Sequence, residues 1–238
     1  MLIRIATILA TAAIAALALS GPGTRWSWWD YRVGLLLFAV AGLVGLLAAV
    51  TGFLARRSAS PNSQAARLAD LAIVMGLVSF GIPLYGIMTA RGVPPIHDIT
   101  TSLEDPPHFR AALTARGSGS NPAPDTFAPD VAQKHRAGYA TLQPLVLPLN
   151  PDQTLDRAVE VARSLRWKVL AVDRTARTVE ATATTAWFGF RDDVVVRIRP
   201  VPGGSRVDVR STSRVGRSDA GVNANRIRRF LRLMQPTR

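Results

Sequence analysis

The sequence predicts an α+β protein in which two or three transmembrane helices precede an antiparallel four-stranded meander with helices packed on one face. Long apolar stretches are confined to the first ninety residues. After residue 150, apolar residues at helical spacing give way to alternating apolar and polar residues, the pattern of strands with one buried face. Glycine-containing turns separate the strands, so the expected element order is α-β-β-β-β-α.

The predicted membrane anchor covers residues 1–91. Its apolar stretches are residues 5–19, 33–54 and 71–88. The last two match the about 20 residues that cross a bilayer as a helix. The first is shorter and follows Arg4, so it fits either a retained span or a cleaved signal peptide. Three tryptophans at positions 26, 28 and 29 separate the first two stretches and predict an aromatic belt at the membrane surface.

Positive charges beside the spans predict the orientation of the chain in the membrane. With a cytoplasmic N-terminus, the α-amine and four arginines lie inside, against three arginines outside. The inside arginines are Arg4, Arg56, Arg57 and Arg67, and the outside ones are Arg25, Arg32 and Arg91. Cleavage of the first stretch leaves this prediction unchanged. Because the arginine-rich composition is typical of a GC-rich bacterial genome, we expect a bacterial inner-membrane protein with a periplasmic C-terminal domain.

The part after the anchor divides into two predicted segments. Residues 92–149 are expected to be a Pro-rich extended segment and loop, because two Pro-Pro pairs exclude helix. Residues 150–238 are expected to form the α+β domain, with Asn150 capping its first helix. The strands are predicted at residues 168–173, 178–187, 190–201 and 205–213, and the last helix at 221–234.

Two turns predict the register of the last three strands. A turn at Gly203-Gly204 places Arg197 opposite Arg210, and a turn at Phe188-Gly189 places Glu180 opposite Arg197. Both registers bury the same apolar face. The other face then carries a charged ladder, which we interpret as a solvated or salt-bridged surface or as an anion site that uses the spare arginine charge.

Arginine supplies the strongest binding signal in the chain. Residues 91–238 contain 23 basic and 14 acidic residues, a charge of +9 that favours anionic partners. The candidate anion-binding residues are Arg214, Arg217, Arg226, Arg197 and Arg210. Three of them lie near the start of the last helix, where backbone N–H groups and the helix dipole also favour anions. The alternative is that Ser218 or Asp219 caps this helix and pairs with the arginines.

Few residues point to catalysis. Without cysteine there is no disulfide, thiolate nucleophile or cysteine-ligated metal. The three histidines lack metal-ligand spacing, so no metal or cofactor is expected. Nucleophile elbows and phosphate-binding loops are missing from the sequence. The weak acid/base candidates are His97, Asp98 and Asp219. Nucleic-acid binding requires stacking aromatic residues in a basic groove. It is not expected, because the domain is predicted to be exported and to have few exposed aromatic residues.

Three motifs occur in a fixed order at residues 94–101 (PPIHDITT), 105–109 (DPPHF) and 206–227 (RVDVRSTSRVGRSDAGVNANRI). Together they resemble the bacterial and plastid domain-of-unknown-function family numbered 1499, over roughly residues 93–235. Ser102 stands where members of that family tend to have an acid. The resemblance implies a domain boundary near residue 92, and it implies no catalytic or binding residues.

The leading functional hypothesis is a non-enzymatic inner-membrane protein whose periplasmic domain binds an anionic lipid, an envelope polymer or a partner protein. One alternative is an envelope enzyme that uses the three acid/base candidates, which requires the Pro-rich segment to lie beside the last helix. Another is a structural subunit of a membrane complex, in which Gly42, Gly45 and Ala49 pack against a partner helix.

Overall fold

The computed structural model describes residues 1–235 and divides into two compact units. The first unit comprises Met1–Thr89 with Thr185–Gly189, and the second comprises Ala90–Thr184 with the described chain from Phe190 onward. The α+β class predicted from the sequence is confirmed. The number of strands and their register differ from the prediction.

The first unit contains three helices, each long and apolar enough to cross a membrane. They are α1 (Leu2–Arg25), α2 (Tyr31–Arg57) and α3 (Gln64–Arg91). Helix α1 is therefore longer than the apolar stretch at 5–19. The carboxylate of Asp30 caps α2 by accepting the N–H of Arg32 at 2.9 Å, and small alanines of all three helices form one buried cluster.

Small residues line the contact between α2 and α3. A Cβ atom added at Gly45 would lie 2.7 Å from the carbonyl oxygen of Gly76, and one added at Gly76 would lie 2.7 Å from the backbone nitrogen of Ala49. Gly42 lies against Pro83 in the same way. This face of α2 therefore packs against α3 of the same chain. The expectation that it packs against a partner helix is wrong.

A six-stranded antiparallel sheet forms the centre of the second unit. Its strands are β1 (Asp98–Thr100), β2 (Leu145–Leu147), β3 (Lys168–Asp173), β4 (Thr178–Thr184), β5 (Arg191–Val201) and β6 (Gly204–Ser213). The order is β1-β6-β5-β4-β3, and β2 also pairs with β6. Strands β1 and β2 share the outer edge of β6, because they pair with residues 210–212 and 205–207. The four-stranded prediction contained β3–β6 and lacked these two edge strands.

Two helices cover the apolar face of the sheet and two more lie in the preceding segment. The helices are α4 (Ala111–Ala115), α5 (Pro129–Tyr139), α6 (Pro151–Ser164) and α7 (Val222–Met234). Asn150 caps α6 by accepting the N–H of Gln153 at 2.9 Å. Helices α6 and α7 bury the core, in which Trp167 stacks on Phe230 with ring centroids 5.3 Å apart. Residues 92–149 thus contain two strands and two helices, where the sequence predicted extended chain and loop.

Both predicted hairpin registers are wrong by two residues. Pro202-Gly203 forms the β5–β6 turn, with Gly203 at φ +79°, as expected for proline followed by glycine in a type II turn. Arg197 is therefore opposite Asp208 and not Arg210. Because six residues separate β4 from β5, Glu180 is not opposite Arg197 either. A shift of two residues keeps every side chain on its face, so the apolar face is the predicted one.

The second face of the sheet is covered rather than solvated. Residues 101–127, called here the covering segment, lie over it, and Phe109 and Ala112 pack against Val195. The carboxylate of Glu180, on this face, accepts the N–H groups of three successive residues of the segment at 2.8–3.0 Å. The expected salt bridges exist, but the prediction of a solvated surface is wrong, because Asp208 and other charged residues there have no exposed area.

Candidate anion-binding site

The start of α7 is built around Asp219. Ala220 and Gly221 adopt positive φ angles and turn the chain into the helix. The Asp219 carboxylate accepts the N–H of Gly221 at 2.9 Å and that of Asn223 at 2.7 Å. Burial raises the pKa of Asp219, and these two hydrogen bonds oppose the rise. Burial also raises the pKa of the Tyr139 hydroxyl, to about 12. Gly221 is the N-cap residue, and the buried Asp219 carboxylate binds the first turn of α7 from two positions earlier. The expected pairing of Asp219 with the arginines is not seen among the described residues, since Arg226 pairs with Asp192 instead.

Arg226 belongs to a buried polar network beside this cap. Its guanidinium lies 2.5 Å from the Asp192 carboxylate, and both side chains are less than a tenth exposed. It also donates to Asn223 Oδ1 and, at 3.1 Å, to the hydroxyl of Ser211. Asn223 in turn donates to Ser213 Oγ at 2.9 Å. The charge of Arg226 is thus balanced inside the protein.

Arg214 is paired in a second buried network, under the covering segment. Its Nη2 lies 2.8 Å from Asp193 Oδ1, and Arg116 from the covering segment lies 2.8 Å from Oδ2 of the same carboxylate. The Thr182 hydroxyl donates to Oδ1 at 2.9 Å. Burial lowers the pKa of Arg116, while the charge of Asp193 opposes the change. One buried carboxylate therefore anchors two arginines.

Arg210 is the largest fully buried side chain of the described residues. Its guanidinium forms two hydrogen bonds with the Asp98 carboxylate, at 3.0 and 2.7 Å. It also donates to the carbonyl of Pro124 at 2.7 Å, and its Cζ lies 5.2 Å from the ring centroid of Phe109 and 4.9 Å from that of Phe127. This arginine holds the covering segment on the sheet and offers no surface to a ligand.

Arg197 lies in a cluster that is only partly exposed. It contacts Asp105 at 3.0 Å and the buried Asp208 at 3.2 Å. Arg199 and Arg206 share Asp208, at 2.8 and 2.9 Å. The hydrogen bond from Arg197 holds the pKa of Asp105 below its ordinary value. Three arginines and two carboxylates leave this cluster with one surplus positive charge.

Two of the three acid/base candidates have other partners in the fold. The extended segment does lie beside the start of α7, since the N–H of Asp219 donates to the carbonyl of Ile96 at 3.2 Å, next to His97. The Asp98 carboxylate, however, is bound to Arg210. Within residues 1–235, no group of three or more His, Asp or Glu side chains is arranged to hold a metal ion.

Part of the unpaired positive charge of the second unit lies on the outer side of α7. This helix contains four arginines and no acid. Arg226 is inside, whereas Arg228, Arg229 and Arg232, called here the α7 surface arginines, are exposed and form no ion pair with a carboxylate of the described residues. Arg217 is exposed and likewise has no such partner. Sequence reasoning missed the α7 surface arginines, although the helical period alone places positions 228, 229 and 232 away from the buried side.

Fold and site together define an α+β protein with three N-terminal helices of membrane-spanning length and an arginine-rich surface on its last helix. Residues 98–234, more than half of the chain, match the model of a family described as protein of unknown function (DUF1499). The chain belongs to this family, which confirms the resemblance carried by the three motifs. The comparison with curated proteins gives no match.

Proposed function

We propose that this protein is a bacterial inner-membrane protein whose C-terminal domain lies in the periplasm and binds anionic lipid headgroups through the α7 surface arginines. The role is non-enzymatic. The observation that carries the proposal is the contrast within α7, in which Arg226 is neutralised by Asp192 while the other three arginines project from the domain without a carboxylate of residues 1–235 beside them. Guanidinium groups of this kind bind phosphate oxygens well, because their planar donors match phosphate geometry.

The internal pairing of the domain strengthens this interpretation. Four of the five arginines that the sequence offered as anion ligands contact buried carboxylates. Their charge stabilises the fold and is not available to a partner. The domain nevertheless has a charge of +9 over residues 91–238, so the surplus lies with surface groups such as the α7 surface arginines and Arg217. A surplus of this kind attracts anionic surfaces.

The flanking charges support the proposed periplasmic placement. The α2–α3 connection carries Arg56, Arg57 and Arg67 within a few residues of the helix ends, and basic connections stay in the cytoplasm. With three spans and this connection inside, we infer that the N-terminus lies inside and the second unit outside. Removal of α1 by a signal peptidase would leave the start of α2 outside and the same final placement.

Cysteine labelling tests the placement directly, because the chain has no cysteine of its own. Ser118→Cys introduces an exposed thiol in the second unit, and Ser60→Cys introduces one in the exposed α2–α3 connection. In intact spheroplasts, a membrane-impermeant maleimide should label the first variant and not the second. Labelling of Ser60→Cys alone would reverse the orientation and remove the periplasmic proposal.

Vesicle binding tests the ligand. The full chain is held in phosphatidylcholine nanodiscs and mixed with vesicles of phosphatidylcholine alone or with phosphatidylglycerol added. We expect co-flotation with the anionic vesicles only. Replacing the three α7 surface arginines by glutamine should weaken it about a hundredfold, since each arginine near an anionic surface contributes about 1 kcal/mol. Salt should also weaken it as the Debye length falls from about 10 Å at 0.1 M to 3 Å at 1 M.

A matched variant distinguishes binding by the α7 surface arginines from attraction by the net charge of the domain. Arg110→Gln, Arg163→Gln and Arg166→Gln together remove the same charge from exposed positions outside α7. We expect this control to retain most of the binding. Equal loss in both triple variants would show that net charge alone drives association, and equal recovery with neutral and anionic vesicles would exclude headgroup binding.

A further inference from the structure

A cleft of about 280 Å³ lies between α7 and the connection from α5 to β2. Two of the α7 surface arginines, Arg228 and Arg232, line one side of it, and Thr141 and Gln143 line the other. Arg229 is not part of the lining. The cleft therefore divides the α7 surface arginines into a pair inside and one outside, although all three carry the same charge on the same helix.

The cleft has the electrostatic character of an anion site. Arg228 and Arg232 are four residues apart, so they lie one above the other on the same side of α7. No acidic residue lines the cleft, whose walls belong entirely to the described part of the chain. Arg228 is held by a 3.2 Å hydrogen bond to Asn225 Oδ1, a neutral acceptor that leaves its charge in place. Two guanidinium groups without a counter-charge can share the oxygens of one phosphate.

Apolar side chains also line the cleft, which distinguishes it from a site for a free ion. Leu142, Leu145 and Leu231 line it next to the arginines. A ligand that fits both parts has an anionic oxygen group joined to a hydrocarbon segment. The volume is at the lower limit of the about 300–1,000 Å³ that drug-sized ligands occupy, so it accepts a headgroup with the first part of its chains rather than a whole lipid.

We propose that the cleft between α7 and the α5–β2 connection is a specific site for one anionic phospholipid, whose phosphate binds Arg228 and Arg232 while its glycerol and first methylene groups contact the leucines. The inference rests on the proposed function, to which it adds a defined pocket and a lipid class. A diffuse basic surface would attract any anionic membrane, whereas a pocket of this kind selects a phosphate diester that carries hydrocarbon.

The experiment uses the full chain in phosphatidylcholine nanodiscs and a soluble probe, dihexanoylphosphatidylglycerol below its micelle concentration, with binding measured by calorimetry. Three variants address the cleft and one serves as control. Arg228→Gln and Arg232→Gln remove the paired cations, and Gln143→Trp fills the cleft from an exposed position without changing any charge. Arg229→Gln removes an identical charge outside the cleft.

We expect each cleft variant to weaken probe binding about tenfold, the usual effect of losing a charged hydrogen bond or its binding space. Arg229→Gln should change it by less than about twofold. Inorganic phosphate and dihexanoylphosphatidylcholine should bind much more weakly than the anionic lipid, the first because it lacks hydrocarbon and the second because its choline brings a positive charge to the arginines. Unchanged thermal unfolding of each variant confirms that the fold is retained.

Three results would overturn the inference in distinguishable ways. If Gln143→Trp binds the probe normally and Arg229→Gln binds it as weakly as Arg228→Gln, the attraction is diffuse. The proposed cleft site is then wrong, while headgroup binding by the helix surface stands. If inorganic phosphate binds as tightly as the lipid and responds to the same variants, the site takes a free ion. If the wild-type chain binds neither the probe nor anionic vesicles, both the cleft site and the proposed function are wrong.

Discussion

Replacing Asp98 by asparagine removes the carboxylate that neutralises Arg210. The guanidinium of Arg210 has no exposed area and forms two hydrogen bonds with Asp98. Loss of one partner from a buried ion pair costs about 3–5 kcal/mol, because the remaining charge stays buried without compensation. For a unit of this size, 1 kcal/mol corresponds to about 2–4 °C. We therefore expect Asp98→Asn to lower the unfolding midpoint of the second unit by about 10 °C.

The assay is thermal unfolding of the full chain in detergent, followed by near-ultraviolet circular dichroism, with hydrogen exchange of β6 peptides to localise the effect. Asp152→Asn is the matched control, because Asp152 pairs with Arg177 at an exposed site at 3.5 Å, where such pairs contribute little. The double change Asp98→Leu with Arg210→Met should recover part of the loss, since it removes both charges. A midpoint for Asp98→Asn within about 2 °C of wild type would refute this reasoning.

Three further predictions concern pH, helix packing and the hairpin turn. Burial raises the folded pKa of the Asp219 carboxyl above its ordinary value of 3.8. The favourable contribution of Asp219 to folding stability is therefore present below pH 3.8 and is lost as the pH rises above that value. A hydrogen bond from an arginine lowers the folded pKa of the Asp105 carboxyl, so the contribution of Asp105 is present above pH 3.8 and is lost as the pH falls below it. Carbon-13 NMR should show the two carboxyls titrating on opposite sides of that value; titration of both on the same side would contradict it. Gly45→Ile should lower the aggregation temperature in detergent, because a Cβ at this position meets the backbone of α3. Gly81→Ile is the control and should not lower it, because a Cβ there meets nothing within 4 Å. Equal effects of the two changes would exclude tight α2–α3 packing. Gly203→Ala should cost the second unit about 1 kcal/mol in thermal unfolding, because the φ of +79° is strained for alanine, and Gly203→Asn should cost less.

Periodicity predicted the parts of the fold that depend on local pattern. Alternation along β3–β6 identifies the face that contacts α6 and α7, because one side of each strand is apolar over many residues. The sequence allows two turns between β5 and β6, since Gly203-Gly204 fits a common hairpin and Pro202-Gly203 fits a type II turn equally well. Spacing could not choose between these turns, because a register shift of two residues leaves the buried face unchanged. The alternation of apolar and polar residues therefore could not predict which residues are cross-strand partners.

Long-range contacts account for what the sequence did not predict. Strands β1 and β2 have three residues each, too few for a recognisable period, and they exist because β6 offers an open edge. The covering segment is rich in proline, glycine and serine, so its composition is that of a surface loop. Its burial depends on Arg210 and Arg214 contacting carboxylates or carbonyls far away in sequence. The candidate anion site differs from the predicted one for the same reason. Four of the five arginines that the sequence offered pair with buried carboxylates.

The pairing of β1 with β6 constrains how the protein is made. Asp98 and Arg210 are separated by 112 positions, and the strand that joins them to the sheet is the last to be synthesised. Strand β1 therefore has no pairing partner until almost the whole chain has been synthesised. Pairings between such distant residues slow folding. A polypeptide that stops before residue 204 lacks β6, so the edge of β5 stays open and the carboxylate of Asp98 has no arginine to bind.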